Sequence, residues 1–99
     1  MERENGEVIL NPTRFKIVKL LVSSSMSASE IAQQLGIDLK LTIFHLKKLT
    51  KCGILKNCYI QRTVQNRPVL IRYYSLTDYG EKSLRNITEF SKQLTDRSR

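Results

Sequence analysis

Ninety-nine residues, 40% of them apolar, are enough for one compact domain with a single core and too few for several. No apolar run approaches the ~20 residues that cross a bilayer, and residues 1–5 lack a basic stretch leading into an apolar one, so a cytoplasmic chain without membrane contact is expected. The net charge of +8 is unevenly placed: eight basic residues and no Asp or Glu fall within residues 39–77, while the remainder carries nine of each sign. That segment holds Lys40, Lys47, Lys48, Lys51, Lys56, Arg62, Arg67 and Arg72, the pattern of a polyanion-binding surface.

The chain reads as mainly α with a small β-hairpin, an α+β domain. Residues 1–10 are expected to form a tail, residues 11–76 the core and residues 77–97 a C-terminal helix. Asn11 is an N-cap followed by Pro12 at the first helical position, where the missing N–H costs nothing. Leu10 and Phe15 are spaced as a hydrophobic staple, and Phe15, Val18, Leu21 and Val22 recur at helical spacing. The run Ser23, Ser24, Ser25 breaks this helix.

Ser27 then caps a second helix, with Glu30 completing a capping box and Met26 facing Ile31. Ile31, Ala32 and Leu35 form its inner face, and Gly36 ends it. Asp38 caps a third helix that runs to Gly53. A short helix and a basic one joined by a tight glycine turn make a helix-turn-helix.

Beyond Gly53 the periodicity becomes extended. Residues 55–64 and 69–76 read as two strands, with Gln65, Asn66, Arg67 and Pro68 as the tip of a hairpin, the wing. Thr77 caps the last helix, on which Leu84, Ile87, Ser91 and Leu94 fall at 3, 4, 3 spacing with Phe90 alongside. So narrow a seam calls for a partner helix.

At about 100° per residue, the third helix turns Leu41, Thr42, His45, Leu46, Leu49 and Cys52 inward and Lys40, Ile43, Phe44, Lys47, Lys48 and Lys51 outward. The outer arc suits the major groove of DNA. Lysines there donate to guanine or neutralise phosphates, and an exposed Ile or Phe packs on thymine methyls. Lys40, Ile43, Phe44 and Lys47 are therefore expected at base edges, and Lys48 and Lys51 at phosphates. Ser29, in the first turn of the second helix, is a phosphate contact, and Arg62 and Arg67 near the wing tip are contacts to an adjacent minor groove or its backbone. The competing expectations are that Ile43 and Phe44 belong to the core and that the wing arginines are merely solvated.

His45 is read as a packed structural residue. Cys52 is seven positions away, beyond the spacing of helical ligand pairs, so neither a metal site nor a cofactor is expected. Cys52 and Cys58 are too few for a disulfide framework and too far apart for C-x-x-C, so reduced thiols are expected, a thiol switch between them being the other reading. No nucleophile and base stand at motif spacing and no glycine-rich phosphate loop is present, which argues against an enzyme.

The runs N-P-T-R-F-K-I-V-K-L-L (Asn11 to Leu21), S-A-S-E-I-A-Q-Q-L-G-I (Ser27 to Ile37), F-H-L-K-K-L (Phe44 to Leu49) with C-G-I-L-K, and Y-Y-S-L-T-D-Y-G (Tyr73 to Gly80) resemble the ArsR-type winged helix-turn-helix regulators, including archaeal ones. The resemblance spans about residues 11–80. It implies a homodimeric transcriptional regulator, usually a repressor, with residues 38–51 as recognition helix. The Tyr74 and Leu76 end of the wing is implied to be core, and the last helix to contribute to the dimer. Two departures stand out: the cysteine cluster of metal-sensing members is absent from residues 27–35, and only ten residues precede Asn11, where the family has a long first helix. No small-molecule or metal effector is therefore implied, and Leu84, Ile87, Phe90, Ser91 and Leu94 are expected to carry the dimer. Such a dimer reads an inverted repeat with half-sites about 10 bp apart. The competing function is a winged-helix module that docks on RNA or an acidic protein.

Overall fold

The computed structural model describes residues 8–97, and the side chains of residues 8–89. In chain order it contains α1 (Pro12–Leu20), β1 (Met26–Ser27), α2 (Ala28–Leu35), α3 (Leu39–Lys51), β2 (Leu55–Val64), β3 (Arg67–Leu76) and α4 (Asp78–Arg97). This is a winged helix-turn-helix.

Local chemistry sets the helix starts. The Asn11 side chain accepts from the amides of Thr13 and Arg14 at 3.0 and 3.2 Å, supplying two of the donors that a first helical turn leaves bare. Ser27 and Glu30 close a reciprocal capping box: the Glu30 amide donates to Ser27 Oγ and the Ser27 amide to Glu30 Oε1. Asp38 accepts from the Leu41 amide at 3.2 Å.

The turn that joins α2 to α3 depends on Gly36. Its φ of 64° lies in the left-handed region, and the next amide, Ile37, donates to the Ala32 carbonyl at 3.1 Å. The Ala32 carbonyl, which also accepts from the Gly36 amide, thus holds both residues of the turn, and the chain reverses within three residues.

Ile9, Ile17, Val18, Leu21, Ile31, Leu46, Leu49, Ile54, Leu55, Tyr74 and Leu76 form one buried cluster, with Leu84 and Ile87 of α4 packed partly against it. All three helices of the helical core and the base of the wing contribute, so burial of this cluster fixes where α3 points.

Several features differ from the sequence expectations. The tail expected over residues 1–10 fails at its C-terminal end: residues 8–10 are helical, and Val8 and Ile9 belong to the core. Leu10, expected in a staple with Phe15, is exposed instead, because Ile9 occupies the inward position. On α1 the buried set includes Ile17, and Val22 is exposed. Leu41, placed on the inner arc of α3, is 42% exposed, since it sits at the helix start beyond the reach of the core.

The wing is longer than expected. Only Gln65 and Asn66 form its tip, both at positive φ (51° and 63°), the geometry that matches the right-handed twist of a two-residue hairpin. Arg67 and Pro68 therefore pair within the ladder, opposite Val64 and Thr63. A third strand, β1, pairs with β3 through Met26↔Tyr74 and Ser27↔Tyr73, giving the order β1-β3-β2.

Candidate nucleic-acid interface

On α3, burial divides the two arcs. Thr42, His45, Leu46 and Leu49 are buried, whereas Lys40, Phe44, Lys47, Lys48 and Lys51 are exposed. The two apolar residues of the outer arc part company. Phe44 stands out at 53% exposure, its ring 5.5 Å beneath the Lys48 ammonium and 5.3 Å from the His45 ring. Ile43 is half-buried and lines a cleft between the helices and the wing.

Ser29 is exposed on the first turn of α2, facing the same cleft, while Ser27 is buried and committed to its cap. In the wing, Arg62 and Arg67 are exposed and share one face of the ribbon, because Val64, which pairs with Arg67, lies two residues from Arg62. The Arg62 guanidinium carbon stands 5.5 Å from the Tyr73 ring centroid.

Arg72, one of the eight basic residues of the acid-free segment but given no individual contact, lies on the opposite face, paired with Tyr59. Its Nε donates to the Tyr59 hydroxyl at 3.1 Å, and its Nη2 donates to the same oxygen. The hydrogen bonds it donates to Tyr59, then to Tyr74, hold its pKa above the ordinary guanidinium value, so it is a permanent cation. The signal was a tyrosine thirteen residues away, meaningful only once the register is known.

His45 is 6% exposed with no hydrogen-bond partner for Nδ1. Burial first, then the charges of Arg14 and Lys48, push its pKa below the usual imidazole value. It is a neutral, packed residue. Cys52 is half-buried and Cys58 exposed, both free thiols. Among the described residues no group of three or more His, Cys, Asp or Glu is placed to hold a metal ion, and no helix is long and apolar enough to cross a membrane.

On α4, Leu84 and Ile87 are half-buried, so part of the expected seam rests on the chain's own core. Leu84 also lines a groove of about 550 Å³ with Val22, Glu81, Arg85, Thr88 and Glu89. Phe90, Ser91 and Leu94 lie outside the residues whose side chains are described.

Residues 11–57, which span the helix-turn-helix and the start of the wing, match the model of the bacterial regulatory proteins of the arsR family. The chain has a winged helix-turn-helix fold, and its helix-turn-helix is similar to that of the arsR-family proteins. The chain is similar in fold to the transcriptional regulator homologue from Pyrococcus horikoshii, at 21% identity over 91% of this chain and 86% of that one, with a TM-score of 0.77. It is also similar to the homodimeric winged helix-turn-helix DNA-binding domain Mb0332 of Mycobacterium bovis, a possible ArsR-family regulator (17% identity, 94% and 80% coverage, TM-score 0.72). A third likeness is to the transcriptional repressor BigR of Xylella fastidiosa (24% identity, 92% and 84% coverage, TM-score 0.68). No curated protein matches the sequence.

Proposed function

We propose that this chain binds duplex DNA sequence-specifically as a homodimer and acts as a transcriptional repressor. The observation that carries the reading is the outer face of α3, where Lys40, Lys47, Lys48 and Lys51 stand exposed around Phe44 on a helix whose opposite face is buried. A helix of this kind fits the major groove of B-DNA. Lys40, Ile43, Phe44 and Lys47 read base edges, Lys48 and Lys51 meet phosphates, Ser29 holds a phosphate at the first turn of α2, and Arg62 and Arg67 grip the flanking groove. The homodimeric Mb0332 domain and the repressor BigR, which share the fold, support the assembly and the direction of control. The dimer contact is assigned to α4 through Leu84, Ile87, Phe90, Ser91 and Leu94.

The test is selection of bound duplexes from a random pool, followed by a salt series on the winner. The selected site is an inverted repeat with half-sites about 10 bp apart. With roughly six to ten phosphate contacts per dimer, affinity falls about 10³- to 10⁵-fold between about 50 and 200 mM salt. A pool that yields no preferred sequence, or an affinity indifferent to salt, overturns the reading.

A further inference from the structure

The three arginines of the wing are separated by strand register. Arg62 and Arg67 share one face of the ribbon, and Arg72 lies on the other. That second face turns toward the helices. There Arg72, Tyr59, Leu70 and Tyr74 line a cleft of about 550 Å³ together with Ser29 of α2 and Ile43 of α3.

Arg72 also differs from the surrounding cations in being held. Both its Nε and its Nη2 donate to the Tyr59 hydroxyl. The groups acting on its charge are the hydroxyls of Tyr59 and Tyr74, with no carboxylate among them. A guanidinium fixed by a neutral partner keeps its full positive charge, and its five N–H groups outnumber the two that the Tyr59 hydroxyl takes. The lysines of α3, on flexible stems, must be ordered at the moment of binding.

The floor of the cleft is apolar, with Ile43 on one wall and Leu70 on the other, and its rim carries one preset cation and the Ser29 hydroxyl. That combination suits a sugar–phosphate unit, whose deoxyribose carbons pack on aliphatic groups while its phosphate accepts from a guanidinium. We propose that Arg72, oriented by Tyr59, binds a DNA backbone phosphate in the cleft between the recognition helix and the wing. The proposal rests on the DNA-binding reading above. It adds a contact that fixes how deeply α3 enters the groove, since Ile43 of that helix forms the cleft wall.

The experiment is a fluorescence-anisotropy salt series with the full chain and its selected duplex. Arg72→Gln lowers the slope of log K against log salt by about 0.9 per protomer and raises Kd about tenfold. Tyr59→Phe leaves the slope unchanged, because the charge remains, yet raises Kd about threefold, because the guanidinium is no longer held. Arg72→Lys restores the slope without full affinity. Thermal melts of each variant verify folding.

A wild-type chain that fails to bind DNA sinks the function itself. A wild-type chain that binds with a steep slope and is weakened by Lys47→Gln, but is indifferent to Arg72→Gln, overturns only the Arg72 contact. A Tyr59→Phe chain equal to wild type, alongside a weakened Arg72→Gln, overturns the orienting role.

Discussion

The hydroxyl of Thr77 donates to the carbonyl of Gly53 at 2.6 Å, across 24 positions of sequence, and the same oxygen accepts from the Gly80 amide at 2.9 Å. The residue that caps α4 thus also ties it to the end of the recognition helix. Thr77→Val keeps the side-chain shape and removes both bonds. It lowers stability by about 1–2 kcal/mol, read as a lower urea midpoint at unchanged m, and Thr77→Ser recovers most of the loss.

Gly80 stands where α4 crosses the chain after α3. A Cβ built there lies 2.2 Å from the Ile54 carbonyl oxygen, a backbone atom that cannot turn aside. Gly80→Ala displaces the helix and costs about 3 kcal/mol. Gly36→Ala meets nothing within 4 Å and suffers only the left-handed backbone, about 1 kcal/mol. The order of the two melting temperatures checks the argument.

His45 makes stability depend on pH. Its folded-state pKa lies below the unfolded value of about 6.5, so the unfolded chain takes up the proton first. The contribution is complete above that value and is lost as pH falls through the folded-state pKa. Imidazolium would face the charges of Arg14 and Lys48, so acidification below about pH 6.5 lowers the melting temperature. His45→Leu, which cannot titrate, flattens that part of the profile. An unchanged slope in the variant removes His45 as the cause.

The self-association surface is tested on α4. Leu84→Glu with Ile87→Glu puts charge into the seam, yielding monomers by light scattering and DNA binding weaker by about 10²-fold or more through loss of bivalency. Because both side chains also pack partly on the core, a melt accompanies the measurement. A folded double variant that remains dimeric moves the interface elsewhere.

What sequence makes legible here is mostly local. Asn11, Ser27 with Glu30, Asp38 and Thr77 each cap an amide within three residues along the chain, so the helix starts could be read directly. The outer arc of α3 followed from periodicity alone. The misses depend on distant partners. Val8 and Ile9 are core because residues far along the chain complete their cluster, and β1 exists only because β3 passes beside it. Leu41 fell on the right arc but at a helix end that the core does not reach. Arg72 was legible only as one charge of the basic segment for the same reason: its individual place is set by Tyr59 on the neighbouring strand.

With β3 in the centre of the sheet, β2 is a ten-residue border whose outer row of amides and carbonyls has no strand beside it among the described residues. Lys56 and Arg62 on that border repel a second copy at low ionic strength. Concentrated salt masks such repulsion while leaving Tyr59 and Ile60 just as adhesive. Purification in high salt, used to strip nucleic acid from a basic protein, is therefore the condition under which these chains begin to stack hairpin against hairpin and come out of solution.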